Sequence, residues 1–208
     1  LGRDKAWQYA QANQEAVEEF AQLSAQFPCD FERRGSVVYA TQDKDKEKME
    51  RELDACLRLG LPAATMRENT LPFPVAAGVR MEGQATFQPL KFTFALAEDL
   101  QERGVDFFLH TAALHPQKDS VGDAVYTTKG IFHANNVVMA SHYPFMDKPG
   151  FYFSRIWQER SYIIAVSQVP AYRDMYWGYG EEGWSLRPYD GGLLIGGESH
   201  KSGHEGMD

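Results

Sequence analysis

Apolar residues recur at helical spacing in the first part of the chain. Residues 4–25 carry apolar side chains on one face and glutamine and glutamate on the other, which predicts a long amphipathic helix. Residues 31–40 are rich in β-formers and predict a strand. A more charged helix is predicted from about Asp43, and Gly60 suits its C-terminal cap.

The middle of the chain predicts a strand, a helix and a second strand. Residues 79–87 have an extended pattern, Pro89 suits a first helical position, and residues 105–109 form an apolar run. This βαβ-like crossover would make part of the sheet parallel. Residues 124–133 then predict a β-hairpin that turns at Lys129 and Gly130.

From Phe151 onward the segments alternate in polarity or are aromatic, which predicts an antiparallel sheet. The predicted fold is therefore α+β or mixed α/β, with a mainly antiparallel sheet, flanking helices and one βαβ-like crossover.

Composition and charge narrow the class of partner. The chain has 208 residues, of which 43% are hydrophobic and 24% charged, as in globular proteins. A net charge of −8 without a basic patch argues against nucleic acid. No run reaches the roughly 20 apolar residues of a membrane helix, so we expect a cytoplasmic protein with no membrane contact. Cys29 and Cys56 are predicted to be buried thiols.

The glycines of residues 178–183 match G-x-G-x-x-G, the pattern of dinucleotide-binding loops. That loop must open a helix whose N-terminal N–H groups face the phosphates. Here a β-like segment with Pro188 follows, and Glu181 and Glu182 would repel phosphate. The context favours a β-hairpin.

Histidines offer two further candidate sites. His200, His204 and Glu205 could bind a metal, but glycine and serine around them favour a solvated tail, and we predict no metal site. His142 follows an apolar strand over residues 137–140, where ligands often bind in α/β sheets. A histidine that only caps the strand explains it equally well.

Arginines interspersed among the aromatic C-terminal strands allow two interpretations. Aromatic walls with a few buried guanidinium groups suit a small anionic substrate, because arginine binds carboxylate through two hydrogen bonds. An ordinary core with surface cations is the simpler interpretation, which the sequence favours.

Several short segments, in the same order along the chain, resemble the D-amino acid oxidase/glycine oxidase family of FAD-dependent flavoproteins. They are residues 35–40, 88–91, 96–98, 104–105, 127–130 and 134–141. The resemblance is greatest to the branch with an additional C-terminal Rieske iron–sulfur domain. The segments similar to that branch are residues 142–145, 148–150, 152–153, 159–162, 185–187 and 196–203.

The resemblance implies a division of the chain. Residues 1–87 would form the helical and strand part of the substrate domain, residues 88–145 a portion of the FAD-binding domain, and residues 146–208 the antiparallel sheet of the substrate domain and the start of the return to the FAD domain. Family members begin with a strand, a G-x-G-x-x-G turn and a helix that hold the FAD diphosphate. This sequence opens in an amphipathic helix, so we expect an internal fragment that is inactive alone.

The resemblance also implies cofactor-binding residues. Ala113 aligns with the segment whose backbone contacts the adenine in the family. Ala140, Ser141 and His142 align with a turn beside the cofactor, and His142 stands where the family has glycine.

Substrate-binding residues follow from the same resemblance. The strands after residue 151 resemble the sheet that roofs the flavin ring. Arg187, Tyr162 and Arg160 are the candidates to bind the substrate there, and Arg187 would pair with a carboxylate.

FAD is the implied cofactor, with an iron–sulfur cluster only if a Rieske domain lies outside this chain. The implied reaction is the oxidation of a small amine or amino acid by hydride transfer to flavin, which leaves an imine that water hydrolyses. The alternative is a stand-alone small-molecule-binding or scaffold domain without catalysis. Exposed sheet edges would favour homo-oligomers.

Overall fold

Two units make up the part of the chain that the computed structural model describes, namely residues 2–118, 122–146, 148, 150–180 and 183–202. Unit 1 comprises Leu1–Asp99 and Arg160–His200, and unit 2 comprises Leu100–Glu159 and Lys201–Asp208. The assignment of the predicted segments to substrate and FAD domains stays a prediction.

Three helices lie where the apolar spacing predicts them. They are α1 (Arg3–Gln26), α2 (Lys46–Arg58) and α3 (Pro89–Glu102), and short 3-10 turns occupy Asp43–Asp45 and Tyr152–Ser154. After α2, Gly60 takes a φ of +75° and the Leu61 N–H donates to the Cys56 carbonyl at 3.0 Å. Glycine thus ends this helix as predicted, because the left-handed conformation is strained for other residues.

A seven-stranded mixed sheet forms most of unit 1. Its strands are β1 (Glu32–Ala40), β2 (Ala63–Thr65), β3 (Ala77–Thr86), β7 (Glu159–Ser167), β8 (Met175–Gly178), β9 (Ser185–Tyr189) and β10 (Gly192–Lys201). Their order is β2-β3-β1-β8-β9-β10-β7. β1 and β8 pair in parallel, and the β1–β3, β2–β3, β8–β9 and β9–β10 pairs are antiparallel. The predicted mainly antiparallel sheet with flanking helices is confirmed.

The two faces of this sheet bury different residues. One face, here called the tyrosine face, buries Tyr39, Tyr176 and Leu186 beneath Leu71 and Phe73 of the preceding connector. The opposite face, here called the helix face, packs Ala40 and Val79 against Met49 of α2. Successive side chains alternate between the two faces along each strand.

Unit 2 contains a three-stranded antiparallel sheet. Its strands are β4 (Ala113–Lys118), β5 (Asp123–Thr127) and β6 (Gly130–Ala134), in that order. Thr127 pairs with Gly130 across a tight turn, so the predicted hairpin at Lys129 is confirmed.

The second strand of the predicted crossover does not form. β3 and α3 are present, but residues 105–109 take no strand in the described chain, and Phe108 and Leu109 are exposed. A strand needs a neighbour for its backbone N–H and C=O groups, and these residues pair with none that the structure describes. The apolar run at residues 137–140 likewise forms no strand in the described chain.

Cys29 and Cys56 are buried free thiols, as predicted. Burial raises the pKa of both thiols, and the neighbouring carboxylates of Asp30 and Glu52 raise it further, which keeps both sulfurs protonated at neutral pH. No helix in the described part of the chain is long and apolar enough to cross a membrane.

Candidate substrate-binding sheet

Tyr162 and Arg160 lie on β7, at one edge of the large sheet. Val166 of the same strand packs into the core of the tyrosine face, so alternation places Ile164, Tyr162 and Arg160 on that face too. A Cβ atom on Gly196 would contact Ile163, which places Ile163 on the opposite face and agrees with this assignment. Tyr162 is 46% exposed. Both predicted residues are therefore accessible from the tyrosine face.

Arg187 lies on the helix face of β9. Its neighbour Leu186 is buried in the core of the tyrosine face, so the arginine points the other way. The half-buried guanidinium donates from Nη2 to the carbonyl of Phe87, whose ring stacks on Phe20 of α1 with centroids 4.9 Å apart. The structure does not bring Arg187 together with Tyr162.

A buried ion pair lies on the tyrosine face between β3 and the start of β8. Arg80 donates from Nε and Nη2 to the two carboxylate oxygens of Asp174, both at 2.8 Å, and also pairs with Glu82. Gly35 of β1 passes directly beside this pair, and a Cβ there would lie 2.6 Å from an Asp174 oxygen. The hydrogen bonds from Arg80 hold the pKa of Asp174 below its usual value, although burial opposes this.

Two buried tyrosines lie on the same face of the sheet as this ion pair. Tyr176 shares a 2.6 Å hydrogen bond with Thr70, and Tyr39 donates to the carbonyl of Trp184 at 2.9 Å. Burial raises the pKa of both tyrosines, so both remain neutral hydrogen-bonding groups. Sequence inspection missed them because their burial depends on the connector that covers the sheet.

A cavity of about 720 Å³ opens above Tyr39 at the carboxyl ends of β1 and β8. Its walls include the rings of Phe73, Tyr179 and Trp184 and the cation of Lys48. The Lys48 ammonium pairs with Asp45 at 2.9 Å and lies 5.2 Å from the centroid of the Tyr179 ring. The cavity combines aromatic walls with the Lys48–Asp45 ion pair, which suits a small ligand with apolar and polar parts.

The glycines of the G-x-G-x-x-G pattern build the hairpin between β8 and β9. The N–H of Gly178 donates to the Trp184 carbonyl at 3.0 Å, and Gly180 has a φ of +94°. A Cβ on Gly178 would lie 2.8 Å from the carbonyl carbon of Gly183. The glycines thus allow two backbones to approach and turn, and the hairpin interpretation is confirmed; Glu181 and Glu182 lie outside the described residues.

His200, which the sequence analysis placed in a solvated tail, lies beside a predicted site residue. It lies in β10, and its ring stacks on Tyr162 with centroids 5.7 Å apart. His204 and Glu205, the other possible metal ligands that the sequence analysis considered, lie outside the described residues. No cluster of metal-ligating side chains occurs in the part of the chain that the structure describes.

The residues predicted to contact FAD lie in unit 2. Ala113 begins β4 and pairs with Thr127, and Ala140 is exposed. The Ser141 hydroxyl donates to the Tyr143 carbonyl at 3.1 Å. His142 takes a φ of +32°, in the region that favours glycine. Its backbone therefore makes a turn of the kind glycine makes, although the side chain is larger.

One protein family matches this chain over nearly its whole length. The sequence profile of the DAO family, the FAD-dependent oxidoreductases, matches residues 2–207. The chain belongs to this family. A protein of Bacillus subtilis (strain 168) named as a Rieske 2Fe-2S iron–sulfur protein, YhfW, is 27% identical over 210 residues, which cover 98% of this chain and 41% of the relative.

Solved structures share the fold of this DAO-family chain. Glycine oxidase from Geobacillus kaustophilus superposes with a TM-score of 0.73 at 19% identity, covering 91% of this chain and 55% of that one. L-proline dehydrogenase from P. horikoshii superposes with a TM-score of 0.72 at 16% identity, with the same coverage. The chain thus spans about half the length of these proteins. The resemblance inferred from sequence is confirmed.

The described residues can be compared with the needs of the two parts of FAD, its rings and its diphosphate. Ala112, Ala113, Ala140 and Ser141 have small, uncharged side chains, which leave room for a flat ring close to the main chain. A diphosphate site needs a glycine-rich loop at a helix N-terminus, and the described residues hold none, because their glycine motif is a hairpin. The described residues therefore hold no loop for the FAD diphosphate, and contact of these small residues with the FAD rings stays a prediction.

Proposed function

We propose that this chain supplies the substrate-facing sheet of an FAD-dependent oxidoreductase that oxidises a small amine or amino acid. When bound, the flavin would accept a hydride from the carbon that carries the nitrogen, and water would hydrolyse the resulting imine. The observation that carries the proposal is the DAO-family match across residues 2–207. The names of the similar proteins, glycine oxidase and L-proline dehydrogenase, support an amino acid as the substrate.

The geometry supports different roles for the predicted residues. Tyr162 and Arg160 share the tyrosine face, so the phenol and guanidinium would orient a substrate carboxylate from one side. The small residues Ala113, Ala140 and Ser141, with His142, would lie against the cofactor rings. Arg187 already binds the Phe87 carbonyl on the other face, so its pairing with a carboxylate is a separate hypothesis.

We propose that the full protein carries functions beyond those of this chain. The name of the Bacillus subtilis relative supports a Rieske iron–sulfur domain elsewhere in the full protein, which would take electrons from the flavin. A cytoplasmic location and self-association through exposed sheet edges also stay predictions. β7 would be such an edge, because it ends the sheet order and exposes Ile163 and Ile164.

The test uses the full-length protein purified without added cofactor. We expect a visible flavin spectrum that bleaches under anaerobic conditions when glycine, L-proline or another small primary or secondary amine is added. A protein that retains flavin but is not bleached by any amine or amino acid would overturn the proposed reaction. A protein that never retains FAD would favour the alternative, a binding or scaffold domain.

Arg187→Leu separates the two roles of that arginine. If the guanidinium only joins β9 to the Phe87 carbonyl, we expect the variant to lose about 1–3 kcal/mol of stability, because a half-buried carbonyl loses a charged donor. Its KM for a carboxylate substrate would then stay within about twofold of wild type, since Arg160 would still bind the carboxylate. A tenfold or larger rise in KM for amino acids, with no change for amines that lack a carboxylate, would place Arg187 in the substrate site.

A further inference from the structure

His200 reaches the tyrosine face because β10 is irregular just before it. Regular alternation from Ile195, which packs on the tyrosine face, would send His200 to the opposite side. Glu198 takes a φ of +53°, which is strained for a residue with a side chain. After it, the Ser199 hydroxyl pairs with Ser161 at 2.7 Å and the His200 ring stacks on Tyr162. An irregularity of this kind turns a side chain toward a chosen face.

One hydrogen bond fixes which imidazole nitrogen is free. Nδ1 of His200 lies 3.2 Å from the Glu198 carbonyl oxygen. A carbonyl can only accept, so Nδ1 donates its hydrogen and the neutral ring has its lone pair on Nε2. The same backbone strain that turns the side chain therefore also aims an acceptor nitrogen away from the strand. The ring is half-buried, so Nε2 remains reachable.

The charged groups near the imidazole suit a zwitterionic substrate, which carries both a carboxylate and an ammonium group. Arg160 lies on the same face of β7, two residues before the stacked Tyr162, and would hold a carboxylate. On β10, Glu198 is exposed, and the Lys201 ammonium lies over the Trp157 ring at 4.4 Å from its centroid. Glu159 at the start of β7 accepts a hydrogen bond from the Trp157 indole at 3.0 Å, and with Tyr162 it completes the titratable groups of the two strands.

We propose that Nε2 of His200 takes a proton from the ammonium group of the substrate, an inference that rests on the proposed oxidation of amines. The substrate N–H bond breaks, its electron pair stays on the amine nitrogen, and a new N–H bond forms on Nε2, which leaves imidazolium. The neutral amine can then form the C=N bond as its carbon loses a hydride. An ammonium group has no lone pair with which to do so.

His200→Asn tests this role in the full-length, flavin-bound protein. Asparagine keeps an N–H donor near the position of Nδ1 and lacks a base. We expect the rate of flavin reduction by glycine or L-proline at pH 7 to fall about 100-fold, in the range of general base catalysis. In His200→Asn, the rate of flavin reduction should rise with pH up to the point where the substrate ammonium group loses its proton without a base. His133→Asn, on β6 of unit 2, is the matched control and should keep the wild-type pH profile.

A second readout does not depend on turnover. In ¹⁵N-labelled protein, NMR should show the neutral His200 ring protonated on Nδ1 and bare on Nε2. Protonation on Nε2 would overturn the inference, and so would equal reduction rates of wild type and His200→Asn at every pH. Failure of all amines to reduce the wild type would instead overturn the proposed function itself, and this inference with it. Free imidazole should restore part of the rate in His200→Ala.

Discussion

Replacing Asp174 with alanine should lower the free energy of unfolding by about 3–5 kcal/mol, the cost of removing one partner from a buried ion pair. The Asp174 side chain accepts two hydrogen bonds from Arg80 and is 11% exposed, so the variant leaves Nε and Nη2 of the guanidinium without an acceptor where water scarcely reaches. Among the described residues, only the exposed Glu82 still pairs with Arg80, through Nη1. Chemical denaturation followed by tryptophan fluorescence measures this loss.

Two controls separate the effect of burying an ion pair from the effect of leaving one of its charges unpaired. Arg33→Ala breaks a pair with Glu18 whose partners are 39% and 65% exposed, and should cost less than about 1 kcal/mol. The double variant Arg80→Met, Asp174→Leu should be more stable than Asp174→Ala, because it removes both charges together. A cost for Asp174→Ala no larger than for Arg33→Ala would show that the pair contributes little.

The same ion pair gives the stability a dependence on pH. The pKa of Asp174 is lowered in the folded chain by the Arg80 hydrogen bonds, with help from the Gly35 N–H. A lowered folded pKa contributes stability that is present above the usual aspartate value of about 3.9 and is lost as the pH falls through the folded value. Asp174→Asn should therefore lose less stability than wild type when the pH is lowered below about 4.

Gly183→Ala should destabilise the protein by about 3 kcal/mol, the upper part of the range for inserting a methyl group where there is no space. The added Cβ would press on the backbone carbonyl of Gly178, and backbone cannot turn aside as a side chain can. The hairpin must open, which would disturb the 3.0 Å bond from the Gly178 N–H to Trp184. Thermal unfolding measures the effect.

Gly191→Ala is the control, since this glycine also lies in a hairpin turn. It has a φ of +75° but no atom within 4 Å of an added Cβ, so only the left-handed conformation is penalised, by about 1 kcal/mol. Equal costs at Gly183 and Gly191 would contradict a role for backbone crowding. A large cost at Gly183 alone would explain the glycine pattern without a nucleotide.

The sequence by itself determined the helices, the turns and the family. α1 and α2 follow from apolar residues at helical spacing, the start of α3 from Pro89, and the end of α2 from Gly60, because each signal acts within a few residues. The hairpin at Lys129 follows from equally local preferences. The ordered short segments pointed to the DAO family, which the profile match over residues 2–207 confirmed.

Only the tertiary structure decided which side chains and strands pair and which face of the sheet each side chain occupies. Arg80 and Asp174 are 94 residues apart and meet only because β1 lies between their strands. The apolar run at residues 105–109 predicts a strand, yet no strand of the described chain pairs with it. Local sequence cannot show this, because a strand forms only when a second segment supplies backbone hydrogen bonds. The faces of Arg187 and His200 depend on strand register and on one strained residue, Glu198. A shift of one residue reverses every side chain of a strand, so local sequence could not tell which side chains would share a site.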